Sequence, residues 1–208
     1  MNELRYTLVA DGSSDKRLIP VLSWLLQQHS SRAISATWAD LSVLRSPPRD
    51  LTGRIAAAVE LYPSDLLFAH RDAETMPHHQ RLAEVQAACE GFADVIAVPV
   101  VPVRMQEAWL LISEAAIRMA AARPRGRVPL SLPARNALER VPDPKQVLYD
   151  ALRTASELSG RHLARLKVAA AAYRVSELIS DFSLLRGLPA FDHLEADLRT
   201  TVEQNHLA

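Results

Sequence analysis

The chain has 208 residues, 49% of them hydrophobic and 23% charged, with 24 Lys/Arg against 24 Asp/Glu. That length allows one domain or one and a half with an ample core, and the zero formal charge gives no global signal for nucleic acid. A single cysteine, Cys89, excludes a disulfide framework and a cysteine-type zinc site. No apolar run reaches membrane-spanning length, and no basic stretch at the amino terminus leads into a long apolar one. A cytoplasmic protein with no membrane partner is expected. Charge is uneven along the chain, with twelve Lys/Arg against four Asp/Glu from Arg118 to Arg174 and two against six from Val175 onward. A basic middle and an acidic tail either face a polyanion or neutralise each other.

In chain order, Leu4 to Ala10 reads as a strand that turns abruptly polar at Asp11-Gly12-Ser13-Ser14-Asp15. Ser13 or Ser14 is positioned to cap the next helix, which carries Leu18, Ile19, Leu22, Leu25 and Leu26 at helical spacing, with Pro20 in its first turn or at a kink. Ala36 to Leu44 is a second strand and Leu51 to Leu61 a helix closed by Pro63. Asp65 to His70 is a short apolar run with the character of a buried central strand. Pro77 opens a helix to about Glu90, ended by Gly91. Asp94 to Val101 is a fourth strand, in which Pro99 marks either an edge or a break. This alternation predicts a mostly parallel sheet flanked by helices over residues 1–102.

Beyond Pro102 the pattern is helical. Val103 to Ala122 reads as one long helix with Met105, Ala108, Trp109, Ile112 and Ala116 on a stripe, followed by an Arg- and Pro-rich loop, Arg123 to Pro133. Helices are expected up to about Val141, from near Pro144, over Gly160 to Ile179, and from about Asp192, with the apolar loop Phe182 to Phe191 packing back on the core. Residues 103–208 therefore read as a helical extension of the α/β part.

Two stretches carry candidate chemistry. Asp72 and Glu74 end the central strand, two residues apart and so on one side of an extended chain. Paired carboxylates repel unless a proton or cation intervenes, and hard oxygen ligands suit Mg²⁺. The plainer reading is a solvated strand-to-loop junction. The second stretch, Asp11-Gly12-Ser13-Ser14-Asp15, lies between a strand and a helix, where ligands of open α/β sheets bind and where helix N–H groups meet phosphate. It lacks the Gly-Lys-Ser/Thr ending of a P-loop, and its plainer reading is a capped turn.

In this order and context, strand–Asp11-Gly12-x-x-Asp15–helix followed by a strand ending in Asp72-x-Glu74 resembles the Toprim fold of primases, topoisomerases and old-type nucleases. That family has Glu-Gly-x-x-Asp after its first strand and Asp-x-Asp after its third. The resemblance implies that Asp11 stands in for the acid/base Glu and Glu74 for the second Asp, each differing in reach by one methylene. Val103 to Leu111, with Glu107-Ala108-Trp109-Leu110-Leu111, looks like the Glu-x-Trp-Leu-Leu segment of a bacterial Toprim-like family of uncharacterised function, and Leu185 to Phe191 looks like that group's closing signature. The resemblance implies a Toprim-like α/β fold, and an Mg²⁺- or Mn²⁺-dependent nuclease in phage defence working with an AAA or SMC-like ATPase. Asp11, Asp72 and Glu74 would be catalytic, and Asp11, Asp15, Asp72, Glu74 and Glu107 would be the candidate metal ligands.

Glu107 could equally pair with Arg104 on a helix surface. Arg71 reads as a phosphate contact or a surface residue. Arg161, Arg165, Lys167 and Arg174 lie on one predicted helical segment, facing a nucleic-acid backbone or solvent. His70, His78 and His79 cluster near Asp72, but two adjacent histidines cannot both face one metal from a helix, which argues against zinc. A scaffold that binds nucleic acid or a partner without cleaving, and a small-molecule phosphohydrolase, are the alternatives. Homo-oligomerisation stays open.

Overall fold

The computed structural model describes residues 3–208. Its centre is one all-parallel sheet of four strands, β1 (Glu3–Val9), β2 (Ala33–Trp38), β3 (Leu66–His70) and β4 (Ala97–Val100), in the order β2-β1-β3-β4. Helices α1 (Leu18–His29), α2 (Leu51–Leu61) and α3 (His78–Glu90) make the crossovers. The α/β class with a parallel sheet flanked by helices is thus what the chain adopts, consistent with a Toprim-like arrangement. From β1 the chain steps outward to β2, then crosses back to β3 on the other side. The order reverses between β1 and β3, and in open α/β sheets the crevice outside that reversal is where ligands bind.

Alternation along the strands divides the core. Leu4, Tyr6, Leu8, Leu66, Phe68, Val98 and Val100 face α1 and the helical part of the chain. Val9, Leu67 and Ala69 face α2 and α3 through Ile55, Ala58 and Val85. β3, flanked on both sides, is buried at every residue, as its uninterrupted apolar run predicts. The Tyr6 ring meets Phe68 edge-on at 5.1 Å, and its hydroxyl donates to the Ile19 carbonyl at 3.0 Å. That fastens α1 to the sheet. β4 is an edge strand and tolerates Pro99 for that reason.

Two strands are shorter than the sequence suggests, and β2 also begins three residues early, at Ala33, where it pairs with the start of β1 at Glu3. The stretch Ala36 to Leu44 leaves the sheet at Ala39, because β1 has ended at Val9 and offers little ladder beyond it; Asp40 then accepts the Ser42 N–H and starts a 3-10 turn, Leu41–Val43. Asp94 to Ile96 precede β4 as a turn.

The helical part departs further. Val103 to Ala122 is not one helix. Arg104 has φ 63, outside the right-handed helix; Gln106–Leu110 is a 3-10 turn; and Ser113 caps a separate helix, α4 (Glu114–Ala120), by accepting the Ala116 N–H. A 3-10 turn, Arg135–Arg140, precedes α5 (Pro144–Ser156), which Asp143 caps. The expected helix Gly160 to Ile179 is two, α6 (Gly160–Ala164) and α7 (Val168–Leu178), separated at Arg165 to Lys167. The last helix, α8 (Pro189–Gln204), begins at Pro189, ahead of Asp192.

Phe182, Leu185 and Leu188 of the preceding loop and Phe191 in the first turn of α8 are buried, as expected. The Trp109 ring stands edge-on to Phe191 at 5.5 Å, so the two stretches of the resemblance beyond residue 102 meet in the core. One apolar cluster runs from Leu4 and Phe68 through Trp109, Leu148 and Val175 to Leu198, and covers one face of the sheet. No helix among the described residues is long and apolar enough to cross a membrane.

Candidate active site at the carboxyl ends of the central strands

After β1 the chain enters a 3-10 turn, Ser13–Arg17, that leads directly into α1. Neither Ser13 nor Ser14 caps a helix; Asp15 does the local bonding instead. Its Oδ2 accepts the Gly12 N–H at 3.0 Å, and its Oδ1 accepts the Ser14 hydroxyl at 3.0 Å and the Gln106 side-chain amide at 2.6 Å. Three donors converge on this one buried carboxylate and fix its position.

The chain after β3 stays extended alongside residues 100–104. Arg71 N–H donates to the Val100 carbonyl, Ala73 to Pro102 and Glu74 to Arg104. His70 and Asp72 consequently sit on one side. Asp72 Oδ1 accepts the Gln106 backbone N–H at 2.9 Å, so Gln106 holds Asp72 with its main chain and Asp15 with its side chain. Burial pushes the Asp72 carboxyl up to about 6; nearby His70 opposes this, and Glu107 and Asp15 add to it as like charges. His70 is buried, with Nδ1 2.9 Å from the Val100 carbonyl oxygen and Nε2 3.6 Å from Asp72 Oδ1. The sequence reading assigned His70 no role. The two-residue spacing from Asp72 on an extended chain was the signal that could have.

Asp11, Asp15, Asp72 and Glu74 line one pocket of about 500 Å³, with His70, Arg71 and Arg81. The structure brings these four predicted carboxylates together at the point where the strand order reverses. Their states differ. Asp11 is exposed, and Arg71 holds both its oxygens, at 3.0 and 3.2 Å, while also pairing with Glu84. Arg71 is therefore an internal clamp as it stands, not an open phosphate contact. Glu74 is exposed and has φ 53, so the strand geometry that would align it with Asp72 has already ended.

Glu107 lies outside the pocket. It is buried against Arg17 at 2.7 Å, and Arg104 donates to the Glu74 carbonyl rather than pairing with Glu107. His78 Nε2 is bonded to the Val101 carbonyl and His79 is exposed, so neither approaches Asp72 as a ligand pair. Arg161, Arg165 and Lys167 are exposed on α6 and the turn before α7, outside the pocket, and Arg174 is exposed on α7. They share no single helix face. Arg17 Nη2 donates to the Ala169 carbonyl at 3.4 Å, which fastens the first turn of α7 to the turn holding Asp15.

Among the described residues, no three His, Cys, Asp or Glu side chains form a group that could by itself hold a metal ion. Asp11 and Asp15 are engaged internally. The donors left toward the pocket are Asp72 Oδ2, Glu74 and His70 Nε2. This fits an ion held by few protein groups, with water and substrate oxygen completing its shell. It does not fit an all-protein cage. A cation there would relieve the repulsion that raises Asp72.

No family model, curated protein or solved structure matches the chain. Fold and site together define an α/β protein with an acidic, Arg-flanked pocket at the reversal point of a parallel sheet.

Proposed function

We propose that the chain is a metal-dependent phosphodiester hydrolase acting on nucleic acid in this pocket, with Mg²⁺ or Mn²⁺ as cofactor. The observation that carries the reading is Gln106 holding Asp15 and Asp72 side by side at the reversal point, in a pocket that Arg71 and Arg81 also line. A bound cation would supply positive charge to a phosphate oxygen and acidify a water. Asp72 and Glu74 would hold it, and Asp15, fixed by three donors, would keep the field negative behind it. Arg71 and Arg81, both paired with Glu84 in this structure, would meet the phosphate's charge on leaving that partner. Asp11 would serve as base once a substrate phosphate draws Arg71 away from it. An ATPase partner and a defence role enter the proposal through the Toprim resemblance; a cytoplasmic location enters through the sequence's lack of a membrane-spanning apolar run.

The test is cleavage of DNA and RNA with Mn²⁺ or Mg²⁺, with and without an ATPase encoded beside the gene. The double change Asp72→Ala with Glu74→Ala should abolish cleavage and leave binding intact. A second reading, a scaffold that binds nucleic acid or a partner without cutting it, is favoured by the Arg71 clamp on Asp11, which neutralises the intended base. Intact DNA and RNA under all these conditions, with binding that depends on Arg161 and Arg165, would select it.

A further inference from the structure

We infer that His70 is a nitrogen ligand for the cation of this pocket, and that the site therefore takes a first-row transition ion, Co²⁺ or Zn²⁺ ahead of Mn²⁺, in preference to Mg²⁺. The inference rests on the pocket being a metal site and concerns which ion it selects.

His70 is the last residue of β3, only 1% exposed, yet it lines the pocket. Its Nδ1 is 2.9 Å from the Val100 carbonyl oxygen on the neighbouring strand. A carbonyl only accepts, so Nδ1 carries the hydrogen and the ring is held in one orientation. A metal-bound histidine is held in this way as a rule, its second ring N–H given to a carbonyl or carboxylate so that tautomer and direction are set. The remaining nitrogen, Nε2, points at Asp72 Oδ1 across 3.6 Å, too long for a hydrogen bond. Two ligands of one tetrahedral ion with bonds near 2.05 Å stand roughly 3.4 Å apart. The observed gap is close to that spacing, Oδ1 keeps a second lone pair beside the one that accepts the Gln106 N–H, and the two-residue offset along the extended chain keeps both groups on one side. Asp72 Oδ2 takes no hydrogen bond from the described residues, and Asp72 lines the same pocket.

The donor chemistry then sets selectivity. Mg²⁺ prefers hard oxygen ligands, whereas imidazole suits zinc and its first-row neighbours, and mixed nitrogen and carboxylate donors favour that group. Water and a substrate oxygen would take the remaining positions.

The test compares wild type with His70→Asn. Asparagine places an amide where Nδ1 stood, able to donate to Val100, and deletes the atom at Nε2. Mn²⁺, Co²⁺ and Mg²⁺ are titrated into the full chain by calorimetry, and one equivalent of Mn²⁺ is examined by pulsed EPR for coupling to a ring nitrogen. Wild type should bind Mn²⁺ and Co²⁺ more tightly than Mg²⁺ and show the coupling. His70→Asn should weaken Co²⁺ and Mn²⁺ by about tenfold or more, leave Mg²⁺ nearly unchanged, and lose the coupling. Equal wild-type affinities for Mn²⁺ and Mg²⁺, or a Co²⁺ affinity insensitive to His70→Asn, overturns the inference while leaving the metal reading in place. If no cation binds, both fall. Should His70→Asn fail to fold, the wild-type coupling decides the matter alone, and its absence overturns the inference.

Discussion

Asp15 and Asp72 show how two carboxylates a few ångströms from a shared residue acquire different characters. Asp15 receives three hydrogen bonds, from Gly12, Ser14 and Gln106. Asp72 receives one, from the Gln106 backbone, and meets the charge of Glu107 and Asp15 in a partly dehydrated place. The folded Asp72 thus keeps its proton up to about pH 6, against an ordinary value of 3.8. Between these values the native state binds more proton than the unfolded chain, so stability falls as pH rises from about 4 to about 6. Above pH 6 the full cost persists, of order 3 kcal/mol from the size of the shift. In chelator-treated buffer at pH 7.5, Asp72→Asn should remove much of that cost and raise the melting midpoint by several degrees. At pH 4 the two proteins should melt alike. A stabilisation that is the same at both pH values would show that the charge of Asp72 is not its source.

Two five-residue 3-10 turns, Ser13–Arg17 and Gln106–Leu110, carry the site, and neither is long enough to hold its shape alone. Arg17 and Glu107 join them, paired at 2.7 Å with side chains only 6% and 4% exposed. This pair keeps Gln106 within reach of both aspartates. Removing one partner leaves a buried charge uncompensated, which costs about 3–5 kcal/mol. Glu107→Ala should therefore shift the urea midpoint sharply downward. Arg17 Nε is buried without a partner, so the pair is not fully satisfied even in the native state. Arg17→Met combined with Glu107→Leu should for that reason recover most of the loss. A double variant no more stable than Glu107→Ala would mean that the Ala169 contact of Arg17, and not the ion pair, holds the turns together.

At the scale of the whole molecule, charge is distributed by element. The acidic last helix answers its own neighbours: Glu195 pairs with Arg186 at 2.7 Å and with His29 at 3.1 Å, and Asp197 with His193. Among the described residues, Arg161, Arg165, Lys167 and Arg174 form no ion pair. The basic middle and acidic tail therefore do not cancel by direct pairing here, which leaves exposed cations on the α6–α7 stretch that packs beside the Asp15 turn. Changing Arg161, Arg165 and Lys167 together to Ala should weaken binding to DNA or RNA. It should also flatten the plot of log affinity against log salt, by about 0.9 for each phosphate that the variant no longer neutralises on duplex DNA. An unchanged slope would remove this surface from the nucleic-acid reading.

Local sequence was enough to set the α/β class with its four strands in order and to single out the candidate site. A four-residue apolar run such as Leu66 to Ala69, too short for a helix, reads as a strand buried on both faces, and βα alternation with right-handed crossovers leaves few arrangements. Helix Leu51–Leu61 was legible to the residue with Pro63 closing it, and the structure adds the Asp50 cap at its start. Asp11, Asp15, Asp72 and Glu74 were grouped through the Toprim resemblance, and they line one pocket because strand ends on one side of a parallel sheet converge. Their states, by contrast, came from tertiary contacts. Arg71 comes to Asp11 from sixty residues away, Gln106 to Asp15 from ninety-one, and Arg17 to Glu107 from ninety. The same long-range contacts overrode helical periodicity at Gln106–Leu110, where a regular helix from Val103 would be incompatible with the extended Met105 and left-handed Arg104 that deliver Gln106 to both aspartates. Local patterns report which face of an element is apolar. They carry no record of which buried charge another segment brings to meet it.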